Sequence, residues 1–281
     1  MKKLATIIFV LAISFVLFYS WYSKNRATVN DNTARQQIVI TGSSTIAPLM
    51  SDIAKHYEQL HPDIRIDVQA GGSSRGIADT RSGLADFGMV SRSLKPDEQD
   101  LLAFTIARDG ICIIVNSANP VEELSDEQIV AIYEGRLTNW QQVGGRDAKI
   151  IKVNKAEGRS TLELFLKYFN LDNKRIKADV IIGDNQQGIK TVAGNPNAIG
   201  YVSIGSASFE AGRGVPIKLL PMKGYAASIE NVVNNSFPIV RSLNVVSREQ
   251  PVGVLKDFIE FAMSEKVKDV IQTHYFVALT N

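Results

Sequence analysis

Cysteine occurs once in 281 residues and histidine three times. A single thiol excludes a disulfide within the chain, and Cys112, inside the apolar run ICIIV, reads as a buried free thiol. His56, His61 and His274 lack metal-ligand spacing and have no cysteine cluster to join, so no metal site is expected. A phosphate loop of the form G-x-x-x-x-G-K-[ST] and a G-x-G-x-x-G turn are both missing. Their absence removes support for nucleotide hydrolysis and dinucleotide binding, and no cofactor is expected. Neither sign of charge dominates: of 31 Lys/Arg and 29 Asp/Glu, residues 1–35 hold five and one, leaving 26 basic against 28 acidic residues after them. That balance gives no nucleic-acid signal. Internal repeats and low-complexity tracts are absent too, and 45% apolar with 21% charged residues is the composition of a folded chain, long enough for two lobes with separate cores.

What is present begins with Lys2 and Lys3, followed by the uncharged run Leu4 to Ser23, LATIIFVLAISFVLFYSWYS. At about 1.5 Å per residue a helix here spans roughly 30 Å, a bilayer core. The run reads as an export signal or a membrane anchor. No A-x-A-like cleavage site follows it, Trp21 and Tyr22 resemble an interfacial aromatic belt, and no cysteine near its end offers a lipid attachment point. These features favour an uncleaved anchor. Residues 24–36 are polar and read as a tether. The expected setting is periplasmic or otherwise extracytoplasmic, with residues 4–23 in the inner membrane.

Beyond the tether, β-rich runs alternate with helical patterns: QQIVIT then residues 46–60, IRIDVQA then 76–83, KIIKVN then 161–169, ADVII then 186–193. Such alternation predicts an α/β architecture. Each of these strands meets its helix through small or polar residues, TGSST, GGSSRG, KAEGRST and GDNQQG. A helix start aims free N–H groups and the positive end of its dipole at one spot, where an oxyanion binds. Ligands in open α/β sheets sit outside the carboxyl ends of strands, so four such turns can share one cleft. The plainer reading of Ser44 or Thr45 is capping of the helix that Pro48 opens. Asp86 reads as a turn cap and Phe87 as core. NSANPVEELS and NNSFPIVRS, with turn residues and a Pro beside a strand, suggest crossings between lobes. The expected divisions are 37–115, 116–238 and 239–281.

From about Ile38 to Phe276 the chain resembles the periplasmic phosphate-binding proteins of bacterial phosphate ABC importers. The resemblance rests on an ordered series: GSSTIAPLM, AGGSSRGIAD, ADFGMVSRSL, IYEGRLTNWQQVGG, EGRST before a helix, and NPNAIGYVSI. It implies a hinged, two-lobed class II periplasmic-binding-protein fold that closes on one inorganic phosphate without chemistry and hands it to importer membrane subunits. Residue by residue, it implies a first contact from Ser44, Thr45 and the amide of Ile46, a second from Ser73, and a third from Ser91, where some members carry aspartate. Across the cleft it implies Ser160 and Thr161, with Lys155 near the place of the family's arginine. Here Arg159 stands where a serine is usual and Ser160 where a glycine is usual. A guanidinium offers an oxyanion a planar fork of donors, so Arg159 either replaces the missing arginine or blocks the pocket. Arg75 and Arg92 stand between ligand contact and solvated surface charge. LTNWQQVGG reads as a structural turn.

Two rival readings remain open. GSSRG, residues 72–76, matches G-x-S-x-G with Ser74 as nucleophile, and His274 is the only histidine after it to serve a hydrolase. A membrane-held phosphate sensor is the other, permitted by the N-terminal run.

Overall fold

In the computed structural model the described residues are 36–279. The apolar run at 4–23 and the tether up to residue 35 lie outside them, and no described helix is long and apolar enough to cross a membrane. Strand β1 (Gln36–Gly42) pairs in parallel with β2 (Ile64–Ala70) and β3 (Phe87–Val90). The connections are helices α1 (Ala47–Leu60) and α2 (Ser73–Ser82). Leu49, Met50, Ile53 and Tyr57 recur at helical spacing on α1, and all are buried in one cluster with Ile38 and Ile40 of β1 and Phe87 of β3. Such spacing makes the helix a lid on the sheet.

Strand β4 (Leu102–Asn116) joins the lobes. Its first part, to Gly110, pairs antiparallel with β9 (Val240–Ser247), whereas Ile111–Asn116 pair with β7 (Ala198–Ser203) and β8 (Ile217–Leu219). Ile111–Val115 accordingly pack in a second cluster with Tyr133, Trp140, Phe165 and Tyr201. The change of core therefore falls inside β4, ahead of the boundary expected at 115/116. NSANPVEELS lies wholly on the second lobe, with Val121 and Leu124 in its core. The turn residues there mark a loop, while a continuous strand makes the crossing. The chain returns at the end of NNSFPIVRS: Ile239 within it belongs to the second cluster, and Leu243, the residue after it, to the first.

The second lobe adds α3 (Asp126–Tyr133), β5 (Ile151–Lys155), α4 (Ser160–Phe169), β6 (Val180–Ile182), α5 (Asn185–Ala193), α6 (Ile204–Gly212) and α7 (Ile229–Val233). Strands β5 and β6 are parallel, as are β5 and β7. Helices α8 (Val254–Ala262) and α9 (Lys268–Thr273) and strand β10 (Val277–Ala278) close the first lobe. The strand order is β2-β1-β3-β9-β4-β7-β5-β6, with β8 and β10 also on β4. Trp140 is buried in the second core and donates its indole N–H to Asn197 O (2.9 Å), the structural turn expected of LTNWQQVGG. Cys112 is a buried free thiol whose pKa burial pushes up.

Candidate anion-binding cleft

The turns after β1, β2, β5 and β6 meet between the lobes around a small cavity of about 10 Å³. That is about the room one water-sized group takes, so the closed cleft is shaped for a small ion and not for a drug-sized ligand. It is lined by Ser43, Ser44, Thr45, Gly72, Ser73, Ser91, Lys155, Arg159, Ser160, Thr161 and Gly183. No carboxylate is among them.

Glycines set the approach. Gly42 has φ +130, and a Cβ there would stand 2.4 Å from Met89 O, so only glycine lets β1 end against β3 and swing Ser43–Thr45 into the cleft. A Cβ on Gly72 (φ +97) would meet Gly158 O of the other lobe at 2.8 Å. The capping expected of Ser44 or Thr45 does not occur: α1 has no side-chain cap, and Ser43 accepts instead, from Thr45 N at its Oγ (3.2 Å) and from the Ile46 and Ala47 amides at its carbonyl (3.2 and 3.0 Å). The amide of Ile46, expected on the ligand, is thus engaged within the turn, and its side chain lies in the first core. Every other residue expected at the site, Ser44, Thr45, Ser73, Ser91, Lys155, Arg159, Ser160 and Thr161, lines the cavity.

The hydroxyls are polarised in one sense. Thr45 Oγ1 accepts from Asn185 Nδ2 (3.0 Å) and Arg241 Nη2 (3.2 Å). Thr161 Oγ1 accepts from Arg241 Nη1 (3.1 Å), and Ser73 Oγ accepts from Ser91 N (3.2 Å). Ser91 Oγ accepts from Ser43 Oγ (2.9 Å) and Arg241 Nη1 (3.4 Å). A hydroxyl that accepts from protein groups keeps its own proton to give away. The cavity is therefore lined by donors. Ser160 Oγ and Lys155 Nζ are buried there with no hydrogen-bond partner. Burial pushes the Lys155 ammonium down to about 7; Arg241 and Arg159 add in the same direction and Asp184 opposes them. Arg159 makes no ion pair among the described residues.

Arg241 and Asp109 were not anticipated from the sequence. They are cross-strand neighbours where β9 meets β4, both fully buried, with Nη2 and Nε of Arg241 2.7 and 3.0 Å from Asp109 Oδ2. Asp109 Oδ1 also accepts from Gly205 N (3.1 Å). One guanidinium thus holds hydroxyls of Thr45 and Ser91 from the first lobe and Thr161 from the second. Asn185, at the start of α5, is the other missed residue. The available signal was charge inside two apolar strands, Arg108 and Asp109 in IARDGICIIV and Arg241 alone in FPIVRSLNVV. A charge buried in a strand requires a partner.

Other candidates sit elsewhere. Asp86 Oδ2 accepts from Val39 N within β1 (2.8 Å) and does not cap a turn as expected, whereas Phe87 is core as expected. Glu157 accepts from Asn173 Nδ2 (3.1 Å) on an exposed turn. Arg75 is exposed on Asp79 and Gln69, but Arg92 is buried against Glu98 and Glu163 rather than solvated. Ser74 contacts Gly158 O and Glu163, while His274 pairs with Asp52 (2.9 Å) and stacks on Phe209. Among the described residues no group of His, Cys, Asp or Glu is arranged to hold a metal.

Two lobes hung on a pair of shared strands, with helix starts facing one polar cavity, define a solute-binding domain. The chain belongs to the PBP superfamily, whose domain model matches residues 27–266. It is similar to a phosphate ABC transporter substrate-binding protein with bound phosphate from Clostridium perfringens (30% identity, TM-score 0.81, covering 87% of this chain and 100% of that one). It is similar also to an ABC-type phosphate transport receptor from Vibrio cholerae (32% identity, TM-score 0.70, 86% and 100% covered). The phosphate-binding protein PstS of Bacillus subtilis (strain 168) is 25% identical over 295 residues, 100% of this chain and 96% of that protein.

Proposed function

We propose that this chain is an extracytoplasmic solute-binding protein that captures inorganic phosphate between its lobes for an ABC importer. The observation that carries the reading is the pair of unpartnered donors, Lys155 Nζ and Ser160 Oγ, buried in a cavity that holds other donors and no carboxylate. A buried donor without an acceptor costs about 1–3 kcal/mol, and an anion with four oxygens removes that cost at several groups together. The start of α4 adds its dipole at the same point. The names of the relatives supply the ligand: phosphate is what the Clostridium perfringens structure holds. Thr45, Ser73, Ser91, Ser160 and Thr161 donate hydroxyls, and Lys155 and Arg159 supply charge. The protein binds and releases; Ser74 has no histidine beside it to make it a nucleophile. The uncharged run at 4–23 supports attachment of the domain at the membrane face where importer subunits stand.

Titration calorimetry of the full chain in detergent with inorganic phosphate tests the reading. A saturable 1:1 heat is expected. No saturation up to about 1 mM, an affinity of only about −4 kcal/mol, overturns it.

A further inference from the structure

Outside the cavity the lobes touch through a second polar cluster that the ligand does not reach. Glu163, in the first turn of α4 on the second lobe, has Oε2 2.8 Å from Arg92 Nε, a charge contact without hydrogen-bond geometry, and 3.1 Å from Lys95 Nζ, both on the first lobe. Its Oε1 accepts from Ser74 Oγ at 3.5 Å, and Ser74 N donates to Gly158 O at 3.3 Å beside it. Arg92 does not depend on Glu163 for neutralisation. Its Nη1 and Nη2 are 2.6 and 2.9 Å from Glu98 Oε2 and Oε1, and Nη1 also donates to Ser93 O (3.0 Å). Asn244 Nδ2 fixes the Arg92 carbonyl at 2.8 Å.

The first-lobe side is thus a rigid socket with one positive charge in excess, from Arg92, Lys95 and Glu98. The second-lobe side brings one negative charge. On opening, buried Arg92 keeps Glu98, while half-exposed Lys95 and Glu163, about a quarter exposed (24%), return to water, so no charge is stranded in the interior. That asymmetry makes the contact reversible, where a fully buried interlobe pair would lock the cleft.

We propose that Glu163 is a closing latch: it docks on Arg92 and Lys95 when the lobes meet and sets how long the closed state, and the anion inside it, persists. The effect on release rests on phosphate being the ligand; the lobe contact does not. Glu163 is a positioning residue: its side chain meets Arg92, Lys95 and Ser74, none of which lines the cavity, and only its backbone N–H reaches a lining residue, the Arg159 carbonyl (3.1 Å). Removing a contact made only in the closed state lowers the closed population and with it the apparent affinity. The loss falls on dissociation, because association precedes closure.

The test pairs two readouts on the full chain in detergent. Spin labels on cysteines introduced at exposed Gln59 and Lys174, with Cys112 buried, report the distance between lobes. Stopped-flow reports release of inorganic phosphate. Glu163→Gln is expected to shift the phosphate-free distances to longer values and to speed release roughly 5- to 30-fold, with a smaller change in association. Lys95→Gln, whose side chain is half exposed, shifts both in the same direction by less, and decides the matter if Glu163→Gln does not fold. Unchanged distances overturn the latch even where phosphate binds normally. Longer distances in a protein that binds no phosphate leave the latch standing and remove the proposed ligand.

Discussion

The two walls of the cleft use one device, a strand that delivers a small-residue turn to a helix start, yet they differ in how their polar groups are satisfied. On the first wall, Ser43, Thr45, Ser73 and Ser91 form a connected set in which each hydroxyl accepts from a neighbour. On the second, Lys155 Nζ and Ser160 Oγ have no partner, and Arg159 stands without an ion pair among the described residues. Closing the lobes satisfies Thr161, through Arg241, but not these three. The first wall is a preformed template, and the second carries an electrostatic cost that an anion removes. Pre-organisation and affinity are thus built on opposite sides of one cavity.

The largest test breaks the element common to both walls. Arg241→Gln leaves Asp109 buried without its cation and is expected to destabilise the protein by about 3–5 kcal/mol, read as a fall in the denaturant midpoint. Adding Asp109→Asn should restore much of that loss, since an uncharged pair strands nothing. A midpoint unchanged in Arg241→Gln would show that the pair is peripheral to both walls.

The second sharpens the contrast by giving stability and binding opposite signs. Lys155→Met keeps the length of the side chain and removes a buried amine without a partner, so the phosphate-free protein should gain about 1–3 kcal/mol while phosphate affinity falls by about 1.5–3 kcal/mol. The pH dependence follows from the folded value of about 7 against the ordinary value of 10.5. Between these the unfolded chain binds more protons than the folded one, so this group's contribution to stability rises with pH across the window and is lost as pH falls towards 7. Bound anion favours the ammonium, so binding at pH 8 takes up close to one proton more in the natural protein than in Lys155→Met. Calorimetry in buffers of different ionisation heat measures the difference, and equal uptake in the two proteins refutes the role given to Lys155.

Much of this contrast was legible beforehand because turn chemistry is local. TGSST, GGSSRG, KAEGRST and GDNQQG declare themselves by small and polar residues after apolar runs, and the structure brings all four to one cavity. What was missed is non-local. Asp109 and Arg241 are 132 residues apart and become neighbours only through the register of β4 and β9. Asp109 also hid the crossing, because with Arg108 it interrupts the apolar pattern of β4 and makes LAFTIARDG look separate from ICIIVN. The choice between capping and cleft for Ser44 and Thr45 was open in the sequence for a comparable reason: Thr45 turns to the cleft because Asn185 and Arg241, which no local window contains, donate to its hydroxyl.

The smallest expected effect concerns which anion the donors prefer. A proton on phosphate needs an acceptor, and unprotonated sulfate needs none, so a carboxylate in the cavity separates the two by accepting from one and repelling the other. No lining residue is a carboxylate, Asp86 and Glu157 are engaged elsewhere, and Ser91 Oγ already accepts from Ser43 and Arg241, which commits its proton to donation. Phosphate should therefore be preferred over sulfate by less than about tenfold, about 1.4 kcal/mol. Ser91→Asp should widen that ratio while weakening both anions, because the new carboxylate sits within reach of Arg241 and takes charge from the first wall. Displacement of bound phosphate by sulfate, run on both proteins, measures the ratio. If a thousandfold excess of sulfate leaves phosphate in place in the natural protein, a backbone carbonyl is accepting the proton, and the first wall is a discriminating surface rather than a template of donors alone.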